Sequence, residues 1–153
     1  MNTLYLICGL LGSGKTTLAK KIAEEKKAFH LSEDDFMEIL FNTYYGDEKR
    51  EAVAKLQRNL AQKLLAQGLD VVMDAGFWGI PERDLLSEVA KNAKAKMELH
   101  YMNTSFEILE QRIIARNQNL ESQYQTPLTE FENWKKSFQV PQKEENAIVH
   151  ESL

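Results

Sequence analysis

Leu4-Tyr5-Leu6-Ile7-Cys8-Gly9-Leu10-Leu11-Gly12-Ser13-Gly14-Lys15-Thr16 decides the fold. Five apolar residues without polar alternation, Leu4 to Cys8, read as a strand buried on both faces, which is the environment of a parallel sheet. Gly9 to Thr16 then follows the spacing G-x-x-x-x-G-K-S/T. Each part of that pattern has a physical reason. Glycines let the backbone curl so that successive N–H groups point at one anion, and the helix that follows adds its dipole and unpaired N–H groups. Lys15 supplies a point charge for the β- and γ-phosphates, and Thr16 a hydroxyl for Mg²⁺. A chance match in a chain of this length is on the order of one in a few hundred.

Outward from this loop, short apolar runs alternate with helical patterns, as in a parallel sheet wrapped by helices. A helix is expected from Lys15 to Lys27, a short strand over residues 28–31 and a helical segment from Asp34 to Tyr45. Residues 47–67 read as a longer helix with Val53, Leu56, Leu60 and Leu64 on one face, stopped by Gly68. Asp70 to Met73 forms a third strand ending at Asp74, and Pro81 opens a helix to about Ala93. Met97 to Met102 reads as a fourth strand. Thr104 with Glu107 has capping-box spacing for a helix to about Asn117. Thr126-Pro127 opens the last helix, and residues 146–150 supply a fifth strand. The expected fold is α/β: a five-stranded parallel sheet with helices on both faces in one domain over residues 1–153, with a polar lid around 112–125.

Bulk properties fit that reading. The chain has 153 residues, 43% hydrophobic and 27% charged, enough for a core without disulfides or a structural metal. A net charge of −4 disfavours a long phosphate-tracking surface for nucleic acid. Cys8 stands alone in an apolar run and reads as buried. The N-terminal residues lack a basic leader, and no run reaches the ~18–20 apolar residues of a membrane span. A cytoplasmic enzyme is the expectation.

Three groups bear on where a γ-phosphate goes. Ser32-Glu33-Asp34-Asp35 follows the second strand, and ligands of open α/β sheets collect beyond the carboxyl ends of strands. Asp34 there can orient or deprotonate an incoming hydroxyl, and Asp35 reads as a capping acid. Asp74 ends an apolar strand in the Walker-B manner, to hold Mg²⁺ directly or through water. Arg112 and Arg116, spaced i and i+4, emerge beside Leu109 and Ile113 at the edge of a buried face. Arginines at such an edge neutralise charge on a transferring phosphoryl group. His30, His100 and His150 fall in strands without metal-ligand spacing, and Trp134 reads as core.

Together these residues resemble small P-loop kinases related to nucleoside-monophosphate kinases, a group with the kinase domain of polynucleotide kinases, chloramphenicol phosphotransferase, zeta toxins and gluconate kinase. The resemblance rests on Gly9 to Thr16, Asp34, Asp74 with Arg83, the Arg112-x-x-x-Arg116-Asn117 run, and Phe138-x-x-Pro141 followed by Glu144-Glu145. It implies ATP and Mg²⁺ as cofactors and transfer to a hydroxyl of an acceptor. Nucleotide contacts are expected from Gly9, Gly12, Ser13, Gly14, Lys15, Thr16, Thr17 and Arg116. Lys15, Asp34, Arg112 and Arg116 are the expected catalytic groups, and Thr16 and Asp74 the metal ligands. Phe36-Met37 stands where polynucleotide-kinase relatives often carry an arginine, which argues against a phosphorylated or polynucleotide acceptor. Phe36, Phe41, Tyr44, Tyr45, Phe77 and Trp78 form either an apolar acceptor pocket or ordinary core. A 5′-hydroxyl polynucleotide kinase, a simple NTPase and a non-hydrolysing ATP-binding module are the alternatives.

Overall fold

A computed structural model describes residues 1–152. Five strands, β1 (Thr3–Cys8), β2 (Phe29–Leu31), β3 (Val71–Gly76), β4 (Lys96–Thr104) and β5 (Ile148–Ser152), form one parallel sheet in the order β2-β3-β1-β4-β5. Six α-helices interleave: α1 (Lys15–Lys26), α2 (Glu33–Phe41), α3 (Asp47–Ala66), α4 (Ile80–Asn92), α5 (Phe106–Asn117) and α6 (Leu128–Ser137). The expected α/β architecture is therefore the observed one.

The alternation of side chains along each strand builds two cores. Leu4, Leu6 and Cys8 of β1 join Val71 and Met73 of β3 and Leu99 of β4 against Ala61 and Leu65 of α3 and Leu86, Val89 and Ala90 of α4. Tyr5, Ile7 and Val72 face the other way, against Ala19 and Ile22 of α1. A smaller cluster of Leu10, Leu109, Ile113 and Phe131 seats α5 and α6 beside the phosphate loop. With β1 central and buried on both faces, the loop that leaves its carboxyl end is fixed in place.

Two helix starts differ from expectation. Ser105, not Thr104, caps α5, its Oγ accepting from the Ile108 N–H at 3.4 Å, because β4 runs on through Thr104. Ser32, not Asp35, caps α2: its Oγ accepts from the Asp35 N–H at 3.3 Å, and the Asp35 side chain is left exposed. Helix α2 also ends earlier than Tyr45, at Asn42 in a left-handed conformation. Gly68 does stop α3, with the Leu69 N–H on the Leu64 carbonyl and the Gly68 N–H on Leu65, a Schellman closure.

The buried stripe of α3 is Val53, Gln57, Ala61 and Leu65, rotated by one position from the leucine stripe, and Leu56 is 42% exposed. Packing against both the sheet and α4 selects the small Ala61 over Leu60 at the closest approach, and Gln57 is carried inward with it. Gln57 is fully buried and neither amide atom has a hydrogen-bond partner. Gln57→Met keeps the volume and removes the desolvated amide, so it should raise the unfolding free energy by about 1–3 kcal/mol. Urea titration at fixed slope measures this; a lower midpoint would show that the amide is satisfied in solution.

Candidate active site

The loop between β1 and α1 is a cradle made by backbone. Gly12 (φ 83°) and Gly14 (φ 93°) sit in the left-handed region that side chains avoid. A Cβ on Gly9 would come within 2.7 Å of Ser13 Oγ and 3.2 Å of the Met102 carbonyl oxygen. The Gly9 N–H donates to the Gly76 carbonyl at 3.0 Å, tying the loop to the end of β3. Ser13 Oγ is buried and has no hydrogen-bond partner among the described residues. Lys15 reaches back to donate Nζ to the Leu10 carbonyl at 2.9 Å, and burial pulls its ammonium down from the ordinary value against the pull of Asp34 and Asp74. Thr16 and Thr17 are exposed on the first turn of α1.

Across the cleft, Asp74 is almost fully buried, and its Oδ2 lies 3.0 Å from His30 Nε2. Adjacent pairing of β2 with β3 sets His30 opposite Val72, two residues before the aspartate on the same face. Asp34 lies between two guanidinium groups, with Arg50 Nη2 at 3.3 Å and Arg116 Nη2 at 3.8 Å. Its neighbour Glu33 is buried and accepts from Arg50 Nη1 at 2.8 Å; burial pushes the Glu33 carboxyl up to about 7 despite that partner. Arg112 donates from Nη1 to the Gly12 carbonyl at 3.0 Å, whereas Arg116 stands over the Tyr44 ring.

These groups surround a cavity of about 340 Å³. Its floor is Lys15 and Asp74, its side Asp34, Glu33 and Arg116, and its far wall is aromatic: Tyr44, Tyr45, Phe77, Trp78 and Trp134. Phe36 instead packs into the α3–α4 core, and Phe41 lies against Lys49, so neither lines the cavity. Segment 122–126 covers one side. Tyr124 Oη donates to Asn42 Oδ1 at 2.6 Å, Tyr45 Oη donates to Thr126 Oγ1 at 2.8 Å, and Thr43 Oγ1 donates to the Gln123 carbonyl at 3.1 Å. Asn117 closes the base of that segment by bonding both the N–H and the carbonyl of Thr126.

Residues 4–141 match the family described as an AAA domain. The chain belongs to that family. Among curated relatives, this family member is 29% identical over 128 residues to an uncharacterized ATP-binding protein of Methanocaldococcus jannaschii, covering 72% of this chain and 34% of that one. It is 27% identical over 95 residues to a shikimate kinase of Francisella philomiragia, covering 60% of this chain and 53% of that enzyme. The chain thus spans about a third and about half of the curated relatives it matches. A gluconokinase of Sinorhizobium meliloti superposes with a TM-score of 0.70 at 17% identity, over 97% of this chain and 82% of that one. The fold is that of P-loop kinases.

Sequence reasoning passed over His30, Glu33, Arg50 and Trp134. His30 is found only once β2 and β3 are known to be neighbours. Arg50 lies 16 residues from Asp34 along the chain, on a different helix, and no local spacing marks it. Trp134, expected as core, does pack against the cluster of Leu10, Leu109, Ile113 and Phe131, and its ring, 5.6 Å from Trp78, also shares the cavity wall.

Arg83 is a scaffold residue. It is 1% exposed and donates to the Phe77 carbonyl at 2.6 Å, the Gln139 carbonyl at 2.9 Å and Glu145 Oε1 at 2.7 Å. Cys8 adjoins it, buried as expected, its thiol pushed up to about 12 by burial.

Arg83→Met should lower stability by about 3–5 kcal/mol, since it removes the buried cation that pairs with the Glu145 carboxylate and bonds two carbonyls; denaturant unfolding measures it, and a loss below about 1 kcal/mol would show that the clamp is dispensable. Glu33 predicts a pH dependence. Its folded-state value, about 7, lies above the ordinary 4.5, so its stabilising contribution is full below pH 4.5 and lost as pH rises through 7. Glu33→Gln should flatten stability against pH across that window, read from urea midpoints at about pH 5 and about pH 8; an unchanged slope would place the titration elsewhere.

Proposed function

We propose that this protein is an ATP·Mg²⁺-dependent phosphotransferase acting on a hydroxyl group of a small-molecule acceptor. The observation that supports it most is the room beyond the phosphate cradle. A cavity of about 340 Å³ continues from Lys15 past Asp34 to an aromatic wall, within the range of about 300–1,000 Å³ usual for small-molecule sites. A water nucleophile needs no such chamber.

In this reading the left-handed Gly12 and Gly14, the partnerless Ser13 Oγ and Lys15 hold the triphosphate, with Thr17 and Arg116 as further contacts. Among the described residues no group of three or more His, Cys, Asp or Glu is placed to hold a metal. In this reading Thr16 and Asp74 would hold Mg²⁺, with its other ligands coming from phosphate and water. When bound, Mg²⁺ neutralises developing phosphate charge. His30 fixes the Asp74 carboxylate for that role.

Asp34 orients the acceptor hydroxyl and takes its proton. The acceptor oxygen bonds to the γ-phosphorus as the bond to the β–γ bridging oxygen breaks, and ADP departs with that electron pair. Arg116, already beside Asp34, and Arg112, on the Gly12 carbonyl, stabilise the moving phosphoryl group from the segment at 112–125 that serves as a lid. Among the described residues no helix is long and apolar enough to cross a membrane.

The test is acceptor-dependent ADP formation across small hydroxyl compounds. Asp34→Ala should lower kcat with a working acceptor by about 10²–10⁴-fold while ATP still binds, and Lys15→Ala should weaken ATP binding as well. ADP formation that no compound stimulates, with full activity in Asp34→Ala, would instead make the protein a simple NTPase.

A further inference from the structure

The charge pattern of the cavity names a class of acceptor, an inference that rests on the phosphotransferase reading for its chemistry but not for its binding. Beyond Lys15 and Arg116, the lining carries four acids, Glu33, Asp47, Glu51 and Glu82, against one cation, Arg50. Three of its five N–H donors are taken: Nε donates to the Tyr44 carbonyl at 2.7 Å, Nη1 to Glu33 and Nη2 to Asp34. The Arg58 guanidinium, the other cation nearby, bonds to Glu51 and lines a separate groove between α3 and α4. The N-terminal turn of α3 opens on the cavity, but Asp47 and Glu48 already offset its dipole. An acceptor bearing a carboxylate or phosphate would face an excess of like charge there, with the one lining cation already paired to Glu33 and Asp34, and such repulsion is one of the two ways a site discriminates.

Glu82 gives the opposite preference a place. It is half-buried on the first turn of α4, lines the cavity and has no hydrogen bond or ion pair among the described residues. Burial raises its carboxyl, with Glu51 adding to the effect and Arg58 opposing it. Tyr44, Tyr45, Phe77 and Trp78 line the same chamber and supply apolar surface suited to a carbon skeleton.

We propose that the acceptor is a basic hydroxyl compound, an amino sugar or amino alcohol, whose ammonium group is received by Glu82 and the acidic wall while its hydroxyl faces Asp34.

Two matched triplets test this: glucosamine, glucose and gluconate, and 2-amino-1-phenylethanol, 1-phenyl-1,2-ethanediol and mandelate. Binding to the full chain loaded with a non-hydrolysable ATP analogue is read from the fluorescence of Trp78 and Trp134, and turnover with ATP is read as ADP formation. The amine of at least one triplet should bind at least about 30-fold tighter than its carboxylate counterpart, corresponding to a difference of about 2 kcal/mol. Glu82→Gln should cut the amine-to-neutral ratio about tenfold, with Asp47→Asn as a second variant whose analogue binding confirms folding. A carboxylate that binds as well as its amine, or no binding by any member, overturns the inference. Amine binding without ADP formation upholds the inference and removes the phosphotransferase reading.

Discussion

Arg83 is the buried cation through which segments far apart along the chain are held together. Its guanidinium, on the first turns of α4, reaches the Phe77 carbonyl after β3, the Gln139 carbonyl after α6 and Glu145 before β5. Phe77 sits at φ 51°, a left-handed conformation that costs a non-glycine residue on the order of 1–2 kcal/mol. The buried charge-assisted bond to its carbonyl offsets that cost. Gly76, one residue earlier, lies against the Gly9 carbonyl oxygen, where a Cβ would approach to 3.3 Å. The shape of the phosphate cradle and the aromatic wall of the cavity therefore share one support. The bonds at Phe77 set where Trp78 begins, and the Gln139 N–H on the Trp78 carbonyl and the Gln139 side chain on the Ile80 N–H complete the turn.

Charge is distributed along the cleft in a graded way. Around the cradle the groups are cationic and half-buried: Lys15 and Arg112 bond to backbone carbonyls, and Arg116 reaches Asp34. Asp34 stands at the boundary, between Arg116 of α5 and Arg50 of α3. Beyond it the balance reverses, and the lining guanidinium, Arg50, is bonded to the Tyr44 carbonyl, Glu33 and Asp34. The cleft is thus cationic at the cradle end and predominantly acidic beyond Asp34.

The parts of this architecture that were legible in the sequence are those written in contiguous residues. The unbroken apolar run Leu4 to Cys8 requires burial on both faces, and the glycine spacing after it requires a left-handed loop; both appear as read. The Pro81 helix start and the Gly68 stop are local backbone chemistry and were equally readable. Errors arose where two options lay one residue apart. Ser105 and Thr104 are both competent caps, and only the length of β4 decides between them. The α3 stripe carries leucines on one line and the smaller Ala61 on the next, and tertiary packing chose the latter. Contacts such as His30 with Asp74 and Arg50 with Asp34 depend on which strands and helices become neighbours, and no window of sequence contains that information.

The seam between residues 42–45 and 122–126 is built almost wholly from side chains: a tyrosine on an asparagine, a tyrosine on a threonine, and two tyrosine rings 4.6 Å apart. Neither half is part of the sheet, yet the Tyr44 ring lies under Arg116, the guanidinium beside Asp34. A substitution at Tyr44 would therefore be felt in the wall of the chamber and beside the cradle at once, so these two parts of the cleft are coupled through one aromatic ring.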